Sequence, residues 1–307
     1  MYPGRWGQVK SAGTSIREPM GDRLLLVAIY AFLAVCLLCV LYPLVYIVSA
    51  SFSSPLAVSS GRVWLLPVEP TLRGYQAALG NSQVVVGYAN SAFYALFGTL
   101  ISTTLTVMMA YPLSRKSFYG RSVLTFLLIF TMLFSGGLIP LYLVVKNLGL
   151  VDSRWALLLP QAMAVWQVII ARTFFQQNIP DELVEASEMD GCSDFRFMLQ
   201  VVLPLSKPIV AVLVLMYAIG QWNAYFDALI YLKSQSLFPL QLVLRNILIL
   251  NTSGGGNMDA AEMLRRQELA DLLKYSLIVV ASLPVLVIYP FVQRYFVQGM
   301  LIGSVKG

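Results

Sequence analysis

Six stretches without a charged residue recur along the chain, and they constrain its fold more than any other feature. A helix that crosses a bilayer needs about 20 mostly apolar residues, because it covers about 30 Å of hydrocarbon at about 1.5 Å per residue. Such stretches lie at 24–48, 88–111, 122–145, 155–171, 208–226 and 275–293. The sequence therefore predicts an all-α membrane protein with six transmembrane helices.

The distribution of lysine and arginine predicts the orientation of these helices. With the N-terminus inside the cell, twelve of these residues lie in inner segments and nine in outer segments. Positive residues favour the cytoplasmic side. We therefore expect cytoplasmic tails at 1–23 and 297–307. The first stretch is too long for a cleavable signal, so residues 24–51 are predicted to form a retained first transmembrane helix.

Composition excludes several classes of chemistry. The chain has no histidine, so a serine–histidine triad, a histidine base and a histidine metal site are all excluded. Its three cysteines form no metal-binding pattern, and the glycines at 254–256 are not followed by the Gly-Lys-Ser/Thr of a phosphate loop. No loop combines a basic cluster with aromatics, which argues against nucleic acid. We predict a non-catalytic chain without a metal or cofactor of its own.

Two patches mix aromatic rings with amide groups, a combination suited to sugars. They consist of Gln221, Trp222, Asn223 and Tyr225 at the end of the fifth stretch, and Gln161, Trp166 and Gln167 in the fourth. An aromatic belt at the membrane interface would show the same tryptophan and tyrosine residues. Both interpretations, a substrate path and a belt, remain open from the sequence.

Two further segments depart from plain membrane spans. The third stretch contains Phe-Ser-Gly-Gly-Leu-Ile-Pro at 134–140. This predicts either a broken helix beside a transport path, with Ser135 as a candidate path residue, or a packing kink. The outer segment 228–274 is too long for a simple connection. A glycine-rich turn at 254–256 and an amphipathic helix at 258–273 are predicted there. The whole segment either faces a partner protein or is a disordered or capping loop.

The segment between the fourth and fifth stretches predicts a short acidic helix. Pro180 suits its first position, and Gly191 can adopt the left-handed conformation that ends it. Leu183, Ala186 and Met189 recur at helical spacing and form one apolar stripe. Six acids and no base occur from 181 to 194. They predict a partner with basic residues in its groove; the alternative is a solvated loop helix.

This segment resembles a known family. The run from Glu185 through Asp190-Gly191 to Leu203-Pro204-Leu205 and Pro208 is similar to the Glu-Ala-Ala loop of binding-protein-dependent ABC importer permeases. The departures are mild: Ser187 and Cys192 each stand where alanine is usual, and Met198 where phenylalanine is usual.

Further motifs resemble narrower groups within that family. Tyr42-Pro43-Leu44, Ser51-Phe52-Ser53 and Trp222-Asn223 are similar to maltose-type (MalG-like) carbohydrate permeases. The segments 111–115, 134–140 and 239–241 resemble the LplC/YtcP-like branch, which serves complex oligosaccharides such as pectin or alginate fragments.

The resemblance implies a type I ABC importer (MetI-like) permease in the bacterial plasma membrane, with a core at 88–296 and a coupling loop at 179–208. It implies a second homologous permease, two ATPase subunits that bind ATP and Mg, and an extracytoplasmic solute-binding protein. Matched residue by residue, coupling to the ATPase falls on Glu182, Glu185, Ala186, Ser187, Asp190 and Gly191.

The expected cargo is a carbohydrate, namely an oligosaccharide or a polysaccharide fragment. The first alternative is an ABC importer permease for a non-sugar solute. A secondary carrier is another alternative, but such carriers usually keep a charged residue within the membrane. None lies within the six stretches. An intramembrane enzyme is disfavoured for the same lack of chemical groups.

Overall fold

The computed structural model describes residues 20–253, 270 and 273–290, and the regular elements in this part of the chain are helical. The helices are α1 (Met20–Ser51), α2 (Pro55–Ser59), α3 (Arg73–Gly80), α4 (Ser82–Ser114), α5 (Arg121–Leu133), α6 (Leu138–Asn147), α7 (Trp155–Leu158), α8 (Val165–Asn178), α9 (Asp181–Met189), α10 (Asp194–Phe197), α11 (Leu203–Leu205), α12 (Lys207–Asn223), α13 (Phe226–Tyr231), α14 (Leu240–Ser253) and α15 (Leu273–Pro290). A π-helical segment, Met198–Val202, joins α10 to α11, and a 3-10 turn, Gln235–Leu237, precedes α14.

The membrane-crossing helices agree with five of the six predicted stretches. Within the described residues, α1, α4 and α15 are each long and apolar enough to cross a bilayer. Two bent pairs reach that length together: α5 with α6, and the run Asp194–Leu205 with α12. The described part of helix α1, Met20–Ser51, contains the first transmembrane helix predicted at 24–51. The tail 297–307, most of the tail 1–23 and the end of the predicted core lie outside the described residues.

The fourth predicted stretch, 155–171, is not one continuous helix. The short α7 ends at Leu158, residues 159–164 leave the helical path, and α8 then runs from Val165 to Asn178. Pro160 lies in this interruption and has no N–H to donate to a helix ladder. Helix α8 therefore begins later than the predicted stretch 155–171 and extends beyond its end, toward the coupling loop predicted at 179–208.

The third stretch is broken. Helices α5 and α6 meet at an angle of 113° across residues 134–137. Gly137 has a φ of +84° at this point, a conformation that glycine adopts without a Cβ penalty. The break predicted from the glycines and proline is confirmed, and its place beside a transport path stays a prediction. Ser135 lies exposed within the break.

Helix α4 forms the centre of the described structure and packs against α8, α12 and α14. In lipid, helix association depends on close packing, because hydrocarbon chains are as apolar as leucine. Small buried residues on α4 permit that approach: Gly87, Ser91, Gly98, Ser102 and Ala110. Near the C-terminal end of α4, Tyr111 packs edge-on against the fully buried Phe175 of α8. The Thr106 and Tyr217 hydroxyls join α4 to α12 at 2.6 Å.

The first part of the long outer segment is folded against α4. Asn90 Nδ2 donates to the Ser236 carbonyl at 2.7 Å, and the Leu240 N–H donates to Ser91 Oγ at 2.8 Å. A Cβ added to Gly87 would lie 3.2 Å from the Leu240 Cα, so glycine lets α14 approach closely. The disordered-loop alternative is therefore wrong for 228–253. The turn at 254–256 and nearly all of the amphipathic helix predicted at 258–273 lie outside the described residues.

Candidate functional site

A cavity of about 190 Å³ lies between α4, α8, α12 and α13. Its lining residues are Tyr94, Leu157, Gln161, Ala164, Gln167, Met216, Tyr217, Gly220, Gln221, Ala224, Asp227, Ala228 and Pro239. Three of the predicted path residues, Gln161, Gln167 and Gln221, are brought together here from α8, α12 and the segment before α8. The cavity is thus a mainly apolar recess with a few convergent polar groups, the usual character of a small-molecule site.

Close packing of α4 on α12 orients one of these amides. A Cβ built on Gly98 would lie 2.8 Å from Gln221 Cδ, closer than packed atoms tolerate. Gly98 therefore makes room for the Gln221 side chain beside the cavity. The amide groups of Gln167 and Gln221 have no hydrogen-bond partner among the described residues. Each amide can both donate and accept hydrogen bonds. They are available to a ligand.

Asp227 adds a carboxylate to the cavity. It lies in the first turn of α13, and its Oδ2 accepts a hydrogen bond from Gln161 Nε2 at 2.7 Å. Burial raises the pKa of Asp227 above the ordinary value for an aspartate. Asp227 is not among the residues predicted from the sequence, because it lies just outside the charge-free stretch 208–226. Its position directly after the amide-and-aromatic patch was the available signal.

Other predicted path residues lie away from this cavity. Trp222 is only 6% exposed, donates from Nε1 to the Ala281 carbonyl at 2.9 Å, and packs edge-on against Tyr88. Asn223 Nδ2 donates to the Ile219 carbonyl of its own helix at 3.0 Å. Trp166 and Tyr225 are exposed and do not line the cavity. For Trp222 the aromatic ring serves helix packing, since α12 and α15 meet across it.

This placement predicts different effects for two neighbouring substitutions. Trp222→Ala removes a buried indole and its hydrogen bond, which should cost about 3–5 kcal/mol of folding stability. Asn223→Ala removes only an exposed contact within one helix and should change stability by about 0.5 kcal/mol or less. Thermal unfolding of the purified proteins in detergent measures both. A Trp222→Ala protein as stable as the parent would contradict the packing role.

The acidic helix forms as predicted, at α9. Pro180 precedes the first turn with a φ of −64° and a ψ of 150°, so it is the N-cap residue rather than the first helical residue. Asp181 and Glu182 occupy the first turn, where the positive end of the helix dipole favours carboxylates. The predicted second helix begins at Asp194 after Ser193, although the Ser193 side chain makes no capping bond.

The end of α9 is a Schellman motif built on Gly191. The Cys192 N–H donates to the Ser187 carbonyl at 2.9 Å, and the Gly191 N–H donates to the Glu188 carbonyl at 3.0 Å. Gly191 has a φ of +68°, as the predicted left-handed cap requires. The motif turns the chain sharply and fixes the direction in which α10 leaves.

The apolar stripe of α9 faces outward. Leu183 and Ala186 are exposed and Met189 is 89% exposed, whereas Val184 packs against the buried cluster of α4, α8 and α12. Glu182, Glu185, Glu188 and Asp190 are exposed beside the stripe. Ser187 is half-buried and its hydroxyl donates to the Val184 carbonyl at 2.7 Å. The helix therefore presents an apolar ridge with an acidic surround.

Arg115 connects the C-terminal end of α4 to the start of α9. Its side chain is nearly buried; Nη1 donates to the Ile179 carbonyl at 3.4 Å and lies 3.6 Å from Asp181 Oδ1. The guanidinium also lies over the Tyr111 ring, 5.1 Å from its centroid. Lys116 pairs with Asp181 at 3.2 Å but is 84% exposed. The sequence places Arg115 in the motif 111–115 but does not predict this contact with α9.

Comparisons with known proteins agree with this architecture. The family model described as "Binding-protein-dependent transport system inner membrane component" matches residues 102–302. The chain is 42% identical over 290 residues to the polygalacturonan/rhamnogalacturonan transport system permease protein YtcP of Bacillus subtilis (strain 168), covering 94% of this chain and 100% of that one. It is also 42% identical to protein LplC of the same organism over 265 residues, covering 86% of this chain and 89% of LplC.

A solved structure shares the fold. The chain superposes with a TM-score of 0.83 on a chain of a bacterial ABC transporter involved in the import of the acidic polysaccharide alginate. The two are 35% identical, and the match covers 91% of this chain and 99% of the other. The all-helical MetI-like permease fold expected from the coupling-loop motif is confirmed. This chain belongs to the family of binding-protein-dependent transport system inner membrane components.

Proposed function

We propose that this chain is a permease subunit of an ATP-driven importer that moves an oligosaccharide or a polysaccharide fragment across the bacterial plasma membrane. The observation that carries the saccharide assignment is the cavity in which Gln161, Gln167, Gln221 and Asp227 converge. Amides and carboxylates at the edge of an apolar recess suit the hydroxyl groups and apolar faces of sugars. The relatives are named for the transport of polygalacturonan, rhamnogalacturonan and alginate, which supports a saccharide cargo here.

The importer would contain partners that supply what this chain lacks. A second homologous permease would complete the cavity, an extracytoplasmic solute-binding protein would deliver the saccharide, and two ATPase subunits would bind ATP and Mg. The positive-inside bias supports cytoplasmic N- and C-termini, which would put α9 on the ATPase side. This chain then acts as a conduit and holds no cofactor.

Helix α9 would be the coupling helix. Its exposed Leu183, Ala186 and Met189 form an apolar ridge, and Glu182, Glu185 and Asp190 surround the ridge with negative charge. Such a surface fits an ATPase groove that is apolar at its floor and basic at its rim. Arg115 and the half-buried Val184 would transmit motion of α9 to α4, α8 and α12 as a rigid lever.

Purification and reconstitution test this function. An affinity-tagged chain should copurify with a second permease and an ATPase, and proteoliposomes should take up saccharide only with ATP and the binding protein. Saccharide uptake that persists without ATP would identify a secondary carrier instead. ATP-dependent uptake of a non-sugar solute alone would contradict the saccharide assignment.

The cavity amides give a residue-level prediction. Gln167→Ala with Gln221→Ala removes two free amides, each expected to contribute about 1 kcal/mol through hydrogen bonds. The double variant should raise the saccharide concentration for half-maximal ATPase stimulation about thirtyfold. Asn223→Ala is the matched control, because its amide bonds its own helix outside the cavity. Equal half-maximal concentrations in the parent and the double variant would contradict a substrate role for these amides.

A further inference from the structure

The charge of the cavity wall distinguishes one kind of saccharide from another. Among the described residues that line the cavity, Asp227 is the one charged side chain, and no lysine or arginine is present. Arg154 lies behind the lining: its Nη2 is 3.4 Å from Asn90 Oδ1 and its guanidinium is 4.2 Å from the centroid of the Phe93 ring. The described lining therefore contains one carboxylate and no cationic side chain that could contact a second carboxylate.

Some of the other polar groups of the wall already have hydrogen-bond partners within the protein, and the others are free to bind a ligand. Tyr94 donates its hydroxyl hydrogen to the Leu237 carbonyl at 2.9 Å, and the Tyr217 hydroxyl is engaged by Thr106 and the Ala164 N–H. The amides of Gln167 and Gln221 and the second carboxylate oxygen of Asp227 stay available. These groups can accept hydrogen bonds from sugar hydroxyls, and only the amides can donate.

An ionised uronate fits such a wall poorly. Its carboxylate would enter a recess of low dielectric beside a like charge, where electrostatic repulsion is stronger than in water. A sugar unit with a hydroxymethyl group, or an esterified carboxyl group, carries no such charge and brings hydroxyl donors to Asp227. The cavity geometry thus favours a neutral sugar unit at this position, whatever charge the other units of the saccharide have.

We propose that this cavity is a subsite for a neutral sugar unit, or for an esterified uronate, and that Asp227 is the residue that discriminates against a free uronate. The proposal rests on the saccharide importer function proposed above and adds a substrate class to it. Gln161 acts as the positioning residue, since its amide holds the Asp227 carboxylate toward the cavity at 2.7 Å.

A matched pair of saccharides tests the proposal. Trigalacturonate and its fully methyl-esterified form share length, linkage and ring stereochemistry and differ in charge. In the first assay, ATPase stimulation by each saccharide is measured at pH 7.5 with the reconstituted complex and a saturating amount of its binding protein. In the second assay, direct binding of each saccharide to the solubilised complex is measured without the binding protein. We expect the parent to prefer the ester and Asp227→Asn to lower that preference about tenfold.

Two variants keep the test decisive. Asp227→Asn retains the shape of the side chain and loses its charge. Gln161→Lys places a cation beside Asp227 and should also lower the preference for the ester. The second variant keeps the test possible even if Asp227→Asn fails to fold. Asn223→Ala is the control and should leave the ester-to-acid ratio unchanged. An unchanged ratio in both charge variants would overturn the subsite proposal while leaving the importer function intact. No stimulation or binding by any saccharide would overturn the importer function itself.

Discussion

Gly191→Val is expected to reduce saccharide-stimulated ATP hydrolysis in the reconstituted importer by about tenfold or more. Gly191 has a φ of +68°, and a Cβ built there would meet nothing within 4 Å. The penalty is therefore backbone strain and not a clash, about 1–3 kcal/mol for a residue in that region and highest for a β-branched one. Relief of the strain would break the Schellman bonds of Cys192 and Gly191 and redirect α9.

Two controls separate this effect from general instability. Gly191→Asn places a side chain in the same open space but tolerates the left-handed conformation, so it should retain most of the coupling. Gly149 also has a φ of +68° and open surroundings, but it lies after α6, away from α9. Gly149→Val should carry similar strain and leave coupling intact. Full saccharide stimulation in Gly191→Val would refute the coupling role of this cap.

Arg115→Met is expected to lower the coupling of ATP hydrolysis to saccharide uptake about tenfold while leaving the melting temperature near the parent value. The substitution removes the contacts with the Ile179 carbonyl, Asp181 and the Tyr111 ring, which together hold α9 to α4. Charged hydrogen bonds of this kind contribute about 1.5–3 kcal/mol. Two guanidinium nitrogens, Nε and Nη2, are buried without a hydrogen-bond partner among the described residues. Their removal relieves desolvation, which offsets the lost contacts.

The adjacent Lys116 supplies the matched control. Lys116→Met breaks a pair with the same carboxylate, Asp181, but the lysine is 84% exposed, and such surface pairs contribute about 0–1 kcal/mol. We expect normal uptake per ATP hydrolysed in Lys116→Met. The ratio of uptake to hydrolysis and the thermal unfolding of each variant are the measurements. Equal ratios in Arg115→Met and the parent would show that α9 does not depend on this anchor.

The candidate membrane spans and the acidic helix were predictable because each depends on local chemistry. Charge-free length decides which segments can cross hydrocarbon, and five of the six predicted stretches correspond to long or paired helices in the structure. Gly191 was predictable as a cap because few residues other than glycine adopt a positive φ at low cost. The fourth stretch was wrong as a continuous helix, since Pro160 interrupts its ladder while apolar content stays high.

The candidate cavity was only partly predictable. Gln161, Gln167 and Gln221 were identified from their amides among aromatic residues, and the structure brings these three together. Trp222 was grouped with them on the same grounds, yet it packs against Tyr88 and bonds to the Ala281 carbonyl. Adjacent residues on a helix point about 100° apart, so neighbours in sequence face different helices. Which neighbour faces the cavity depends on how α4 lies against α12.

The sequence by itself determined that this chain is a helical membrane protein with an acidic, glycine-capped helix between two spans. Those features follow from burial cost and backbone sterics, which act over a few residues at a time. Only the tertiary structure decided that Gly98 admits Gln221 beside the cavity, that Gln161 holds Asp227 there, and that Arg115 anchors α9. These contacts join residues more than 60 positions apart, because packing of the helices, not local preference, brings them together.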